Sequence, residues 1–228
     1  MNEEDALLRA ICDHPDDDTP RLVFADWLDE QGGEINTAWA ELIRDQIRLS
    51  PEIRTSFIDH DDDWLKSWSD RLYFPPTLSF YGWKRGFPTR LHSPVGDLCA
   101  TWDSVIRRIP VEELYLEEAA DVSMKALVAS CDLRSVRELF IHSVEPRGDE
   151  PQLTDRAIVA LAGCPALSDL KSMLVRWVSL TDDGIDAVLH SHSLAHLKEL
   201  HIGRHQSSAA TFGACERLRA RFGSKVIS

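Results

Sequence analysis

Five histidines fall within sixteen residues near the C-terminal end: His190, His192, His196, His201 and His205. Imidazole is a general base near neutral pH and the commonest metal ligand, so this is the densest candidate for chemistry in the chain. A zinc hydrolase of the HExxH type needs two imidazoles one helical turn apart and a glutamate between them; that pattern is absent, and no cysteine or carboxylate completes a ligand set. A metal-dependent hydrolase built on His190–His205 is therefore the minor alternative. The run Asp16-Asp17-Asp18 invites a calcium reading, but an EF-hand loop alternates its oxygens around a central glycine and closes on a glutamate. Here the acids are consecutive and Pro20 follows, which fits negative charge gathered at a helix N-terminus instead.

Nucleophiles fare no better. Cys12, Cys99, Cys131, Cys164 and Cys215 are widely and irregularly spaced, with no CxxC pair, which predicts small buried thiols in a reducing compartment. There is no Gly-x-Ser-x-Gly elbow, no Cys–His pairing and no glycine-rich phosphate loop. The residues predict a protein that is not an enzyme, with no catalytic residue, no metal and no cofactor.

The elements that carry these residues divide unevenly in charge. Residues 1–50 hold 13 Asp/Glu against 4 Lys/Arg, residues 51–86 hold 6 against 5, and residues 87–228 hold 19 against 16. The net charge of −13 thus belongs mainly to the N-terminal segment. With no basic stripe, nucleic acid is a poor partner. The acidic start lacks the pattern of a signal peptide, and no apolar run of about 18 residues exists, so the expectation is a soluble, cytoplasmic protein without a membrane partner.

The first 50 residues predict three short helices. Ala6, Leu7, Ala10 and Ile11 give an apolar stripe over Glu3 to Asp13. Thr19 is read as the cap and Pro20 as the first turn of a second helix ending at Gly32-Gly33, with Val23, Phe24, Trp27 and Leu28 as its apolar face. A third spans about Asn36 to Leu49, with Trp39, Leu42, Ile43, Ile47 and Leu49 on one side. Residues 51–86 are rich in tryptophan and other aromatics, including Trp64, Trp68, Phe80, Tyr81 and Trp83; this segment is read as a junction on which the small module rests.

The string Pro15-Asp16-Asp17-Asp18-Thr19-Pro20-Arg21-Leu22-Val23-Phe24-Ala25-Asp26-Trp27-Leu28-Asp29-Glu30, with Leu7–Ile11 before it and Ala40–Gln46 after it, resembles the bacterial repeat-companion domain. The resemblance covers roughly residues 3–50. It implies a module placed ahead of repeats, and it carries no catalytic residue.

Repeats follow. Leu153-Thr154-Asp155-Arg156-Ala157-Ile158-Val159-Ala160-Leu161 matches Leu180-Thr181-Asp182-Asp183-Gly184-Ile185-Asp186-Ala187-Val188 at an offset of 27. Val111-Leu114-Leu116 and Val136-Leu139-Ile141 share their spacing at an offset of 25, and Leu91 precedes Leu116 by 25 again. The interval from Ile141 to Val175 is 34, which places an insertion in 145–151. This pattern is similar to the ribonuclease-inhibitor type of leucine-rich repeat over roughly 87–228, and it implies a strand and a helix in each unit. The predicted helices include Asp155–Ala162 and Asp183–Leu189, with a capping helix near Leu218–Gly223 and a last edge strand at Lys225–Ile227.

The fold class expected is α/β: a helical module at 1–50, an aromatic-rich junction and cap at 51–86, and a short solenoid at 87–228, with parallel strands inside and helices outside. Residues between the repeated leucines then face outward from the concave sheet. They are Arg90 and His92, then Glu113, Tyr115 and Glu117, then Glu138, Phe140 and His142, then Ser172, Leu174 and Arg176, then Glu199, His201 and Gly203. An exposed row of Tyr115, Phe140, Leu174 and His201 predicts a partner-binding surface. The chain is expected to be a monomer on its own that binds another protein. A narrower version is an inhibitory or regulatory subunit that restrains an effector enzyme, such as a protease of a defence or signalling operon.

Overall fold

The computed structural model describes residues 2–49, 76–143, 153–204, 208–223 and 226. The fold is mixed α/β with a mostly parallel sheet. The chain forms two compact units, one of Met1–Leu91 with Thr101–Val111 and one of His92–Ala100 with Glu112–Ser228.

The first unit opens with helices α1 (Glu3–Asp13), α2 (Thr19–Gln31) and α3 (Glu34–Arg48). Asn2 caps α1 by accepting from the Asp5 amide at 2.7 Å. Thr19 is the first residue of α2 and not its cap. Asp18 holds the cap position without a side-chain bond, and Asp17 accepts from the Thr19 amide at 2.8 Å. That bond is the main reason the Asp17 carboxyl lies below the usual carboxylate range. Gly32 and Gly33 both adopt positive φ, as the turn out of α2 requires.

The buried face of α2 is also rotated from the expected one. It consists of Arg21, Phe24, Ala25 and Leu28, at helical spacing, whereas Val23 is 48% exposed. Arg21 takes the place because its guanidinium has two partners there. It donates to the Asp17 carbonyl at 2.9 Å and lies 5.9 Å from the Phe87 ring. Trp27 is half-buried and stacks on Phe24 at 5.7 Å.

Two strands follow, β1 (Ser79–Lys84) and β2 (Phe87–Pro94), the first of them within the stretch expected as a junction. Arg85 and Gly86 join them, both with positive φ, which makes a two-residue hairpin turn of the kind that matches strand twist. Helix α3 grips this turn. Trp39 Nε1 donates to the Gly86 carbonyl at 2.7 Å, and the Gly86 amide donates to Gln46 Oε1 at 2.7 Å. Arg85 reaches the Pro15 carbonyl at 3.0 Å and Asp18 at 3.3 Å. Phe24, Trp39 and Phe87 are fully buried in mutual contact and form the aromatic centre of the unit. The expected packing of the small module on the 51–86 junction lies in large part outside the described residues; Phe24 meets Phe87 of β2 directly.

Helix α4 (Val95–Val105) leaves β2, and the second unit continues with β3 (Glu113–Ala119), α5 (Asp121–Ser130), β4 (Glu138–Ser143), β5 (Leu153–Thr154), α6 (Asp155–Ala162), a 3-10 turn (Pro165–Leu167), β6 (Ser172–Ser179), α7 (Asp182–Leu189), β7 (Glu199–Arg204) and α8 (Phe212–Phe222). Strands β3, β4, β6 and β7 are parallel neighbours. Leu114, Leu139, Met173 and Leu200 align across them, as do Leu116, Ile141, Val175 and Ile202, and all eight are buried. The alignment equals the register expected from the repeated L-x-L spacing. Helices α5, α6, α7 and α8 pack consecutively.

A side-chain ladder ties successive helices together. The Thr154 amide and hydroxyl both donate to Asp121, those of Thr181 to Asp155, and those of Thr211 to Asp182. Each threonine also accepts from an amide of the helix it precedes, so one side chain caps its own helix and joins the previous one. The insertion expected at 145–151 lies outside the described residues, as does the edge strand at Lys225–Ile227 except for Val226, whose carbonyl accepts from the Ile202 amide at 2.7 Å.

Candidate functional site

Alternation along the parallel strands places one residue of each L-x-L pair's middle on the face opposite the core. Because the strands are in register, those residues form rows. Tyr115, Phe140, Leu174 and His201 are aligned neighbours, as are Glu113, Glu138, Ser172 and Glu199. His142, Arg176 and Gly203 form a third row, and Glu117, one residue beyond Leu116, stands at its β3 end. The face therefore grades from an acidic row through an apolar row to a row that carries Arg176.

Tyr115 and Phe140 stack at 4.1 Å between ring centroids, with their planes 7° apart. His92, at the end of β2, meets the Tyr115 ring edge-on at 6.1 Å, and its Nε2 lies 3.1 Å from Glu117 Oε1. These residues, with Leu174, His142, Arg176 and the backbone of the core strands, line a pocket of about 290 Å³. Its floor is aromatic and aliphatic, and its rim is charged, the composition common to binding sites. Arg176 and His142 make no hydrogen bond or ion pair with the described residues.

Among the expected surface residues, Tyr115, Glu117, Phe140, His142, Leu174 and Arg176 come together in the pocket. Glu113 and Glu138 lie in the adjacent row, half-buried, and His201 lies beyond Leu174 on β7, exposed. His92, another of the expected outward positions, completes the pocket from β2.

A second feature lies beside this pocket face and does not follow from the repeat spacing. Strands β3 and β6 each carry an extra residue just past the third row, Glu118 and Trp177, with φ of 54° and 62°. Both are bulges in the left-handed region, which costs an L-residue about 1–2 kcal/mol. Trp177 is also 40% exposed.

Among the described residues the histidine cluster does not converge. His190 closes α7 with Nδ1 2.9 Å from the Asp186 carbonyl, His192 and His196 lie in the following turns, His201 is on β7, and His205 is outside the described residues. Among the described residues, no group of three His, Cys, Asp or Glu is placed to hold a metal ion. Burial pushes the Cys12 thiol up to about 12, against the opposing pull of Arg21, so it carries little thiolate. No helix among the described residues is long and apolar enough to cross a membrane. No protein-family profile matches the chain, and a search of curated proteins finds no match.

Proposed function

We propose that the protein is a non-enzymatic interaction module of the bacterial cytoplasm that binds another protein through the outward face of β3, β4 and β6. In this reading residues 1–50 are a repeat-companion module, residues 51–86 a junction, and residues 87–228 a short leucine-rich-repeat solenoid whose concave face is the binding surface. The stacked Tyr115–Phe140 pair carries the reading. A core sheet has no need of two half-exposed rings beside an arginine without an ionic partner among the described residues, whereas protein interfaces are enriched in Tyr, Phe and Arg at their centres.

The acidic first 50 residues support a basic partner, since charge of one sign raises encounter rates with the other. A partner that is itself an enzyme, held inactive while bound, is the narrower version of the same proposal. Affinity purification from the native host with the wild-type chain and with Tyr115→Ala/Phe140→Ala, followed by mass spectrometry, tests it. A protein recovered by the wild type and lost with the double variant is the expected result; equal recovery would assign binding elsewhere.

A further inference from the structure

The three rows of the β3–β4–β6 face also constrain the shape and charge of what binds there, which rests on the reading of this face as a binding surface. We infer that the face accepts an amphipathic α-helix of the partner, lying across the strands. Its apolar stripe would follow Tyr115, Phe140 and Leu174, with an acidic flank towards His142 and Arg176.

The spacing carries the first half of the inference. Neighbouring strands lie about 4.8 Å apart, so Tyr115 to Leu174 is two steps, about 9.6 Å. An α-helix returns to the same face about every 5.4 Å, so two turns match the row to within about 1.2 Å. An extended strand laid across it returns only every ~6.7 Å and misses by about 4 Å over the same two steps. Side chains at i, i+4 and i+7 of a helix can thus meet Tyr115, Phe140 and Leu174 in turn.

Charge carries the second half. Glu117 has His92 at 3.1 Å, but Arg176 and His142 have no ionic or hydrogen-bonding partner among the described residues. Arg176 is exposed at the pocket rim, two residues from Leu174 on the same strand face. A carboxylate beside the apolar stripe would reach its guanidinium in the two-pronged manner that arginine favours.

The test is a selection of displayed, fully randomised 16-residue peptides on the intact wild-type chain. Each enriched peptide is then measured on Tyr115→Ala/Phe140→Ala and on Arg176→Glu, both checked for folding by circular dichroism. The expected result is enriched sequences with apolar residues at i, i+4 and i+7 and Asp or Glu on one flank. Their affinity should fall at least tenfold on Arg176→Glu and be partly restored when the peptide's acid is changed to lysine. Enriched peptides with a period of two, or with no response to Arg176→Glu, overturn the helix inference; if they still fail on the double variant, the face itself stands as a binding surface. A selection in which no enriched peptide depends on Tyr115 and Phe140 overturns both.

Discussion

Tyr115 and Phe140 stand on neighbouring parallel strands at the same register position, and their rings lie 4.1 Å apart and nearly parallel. The closeness follows from the strands, because in-register parallel pairing brings residues of successive repeats side by side on one face. Offset aromatic pairs contribute about 0.5–1.5 kcal/mol beyond their buried area. Phe140→Ala should therefore destabilise the fold by about 1–3 kcal/mol, below the ~3–5 kcal/mol of a fully buried ring, because Phe140 remains half-exposed. Chemical denaturation of the variant measures this. A loss as large as that of a core phenylalanine would mean that the ring belongs to the interior.

The threonine–aspartate ladder makes a separate forecast. Thr181 caps α7 and donates to Asp155 through both its amide and its hydroxyl. Thr181→Val keeps the shape and removes the hydroxyl, and should cost about 1–2 kcal/mol, in the range of a lost cap. Thr181→Ser should stay close to wild type. Thermal melts of the two variants separate hydroxyl chemistry from packing, and a loss in Thr181→Ser with none in Thr181→Val would point to the methyl group instead.

Gly86 is held from both sides by Trp39 and Gln46 and has φ of 81°. A Cβ there would collide with the backbone and side chain of Ile43. Gly86→Ala should cost about 2 kcal/mol or more, through overpacking and left-handed strain together. Gly96, with nothing near its missing Cβ, provides the control, since Gly96→Ala should be tolerated. A Gly86→Ala variant as stable as wild type would show that the hairpin turn is not clamped to α3.

Acid should weaken the ladder. The amide of Thr211 beside Asp182 holds this carboxyl below the usual carboxylate range, with its hydroxyl adding to the effect. A carboxyl whose folded pKa is depressed stabilises the fold above its ordinary value of about 3.9, and that contribution is lost as the pH falls through the lower folded value. Stability of the wild type should thus decline below about pH 4 more steeply than that of Asp182→Asn, which begins less stable at pH 7. Parallel slopes across this range would remove Asp182 from the acid response.

How much of this was legible in the sequence depended on whether a residue type answers to its neighbours or to a distant partner. The L-x-L spacing set the β3–β4–β6–β7 register because inward aliphatic residues repeat at nearly constant intervals, and the outward rows followed from alternation alone. The matched Leu-Thr-Asp strings were visible too, but a threonine–aspartate bond between residues 26 apart is a tertiary relation, and nothing local announces it. Helix α2 misled for a similar reason: Arg21 looks like a surface residue, yet the Asp17 carbonyl and the Phe87 ring make the interior its place. The Arg85-Gly86 hairpin was hidden among aromatics, since only one of its two positive-φ residues is the glycine that signals such a turn. Glu118 and Trp177 gave no glycine at all.

The central claim is that the protein binds its partner through the Tyr115–Phe140 face. It is tested most directly by the equilibrium affinity of the recovered partner for three purified chains: wild type, Tyr115→Ala/Phe140→Ala, and Val122→Ala. Val122 is an exposed residue of α5 and serves as the control. All three are to be measured where each is fully folded. The account predicts a loss of at least about 100-fold for the double variant, roughly 2.7 kcal/mol, and no change for Val122→Ala. A double variant that binds within about twofold of wild type would contradict it.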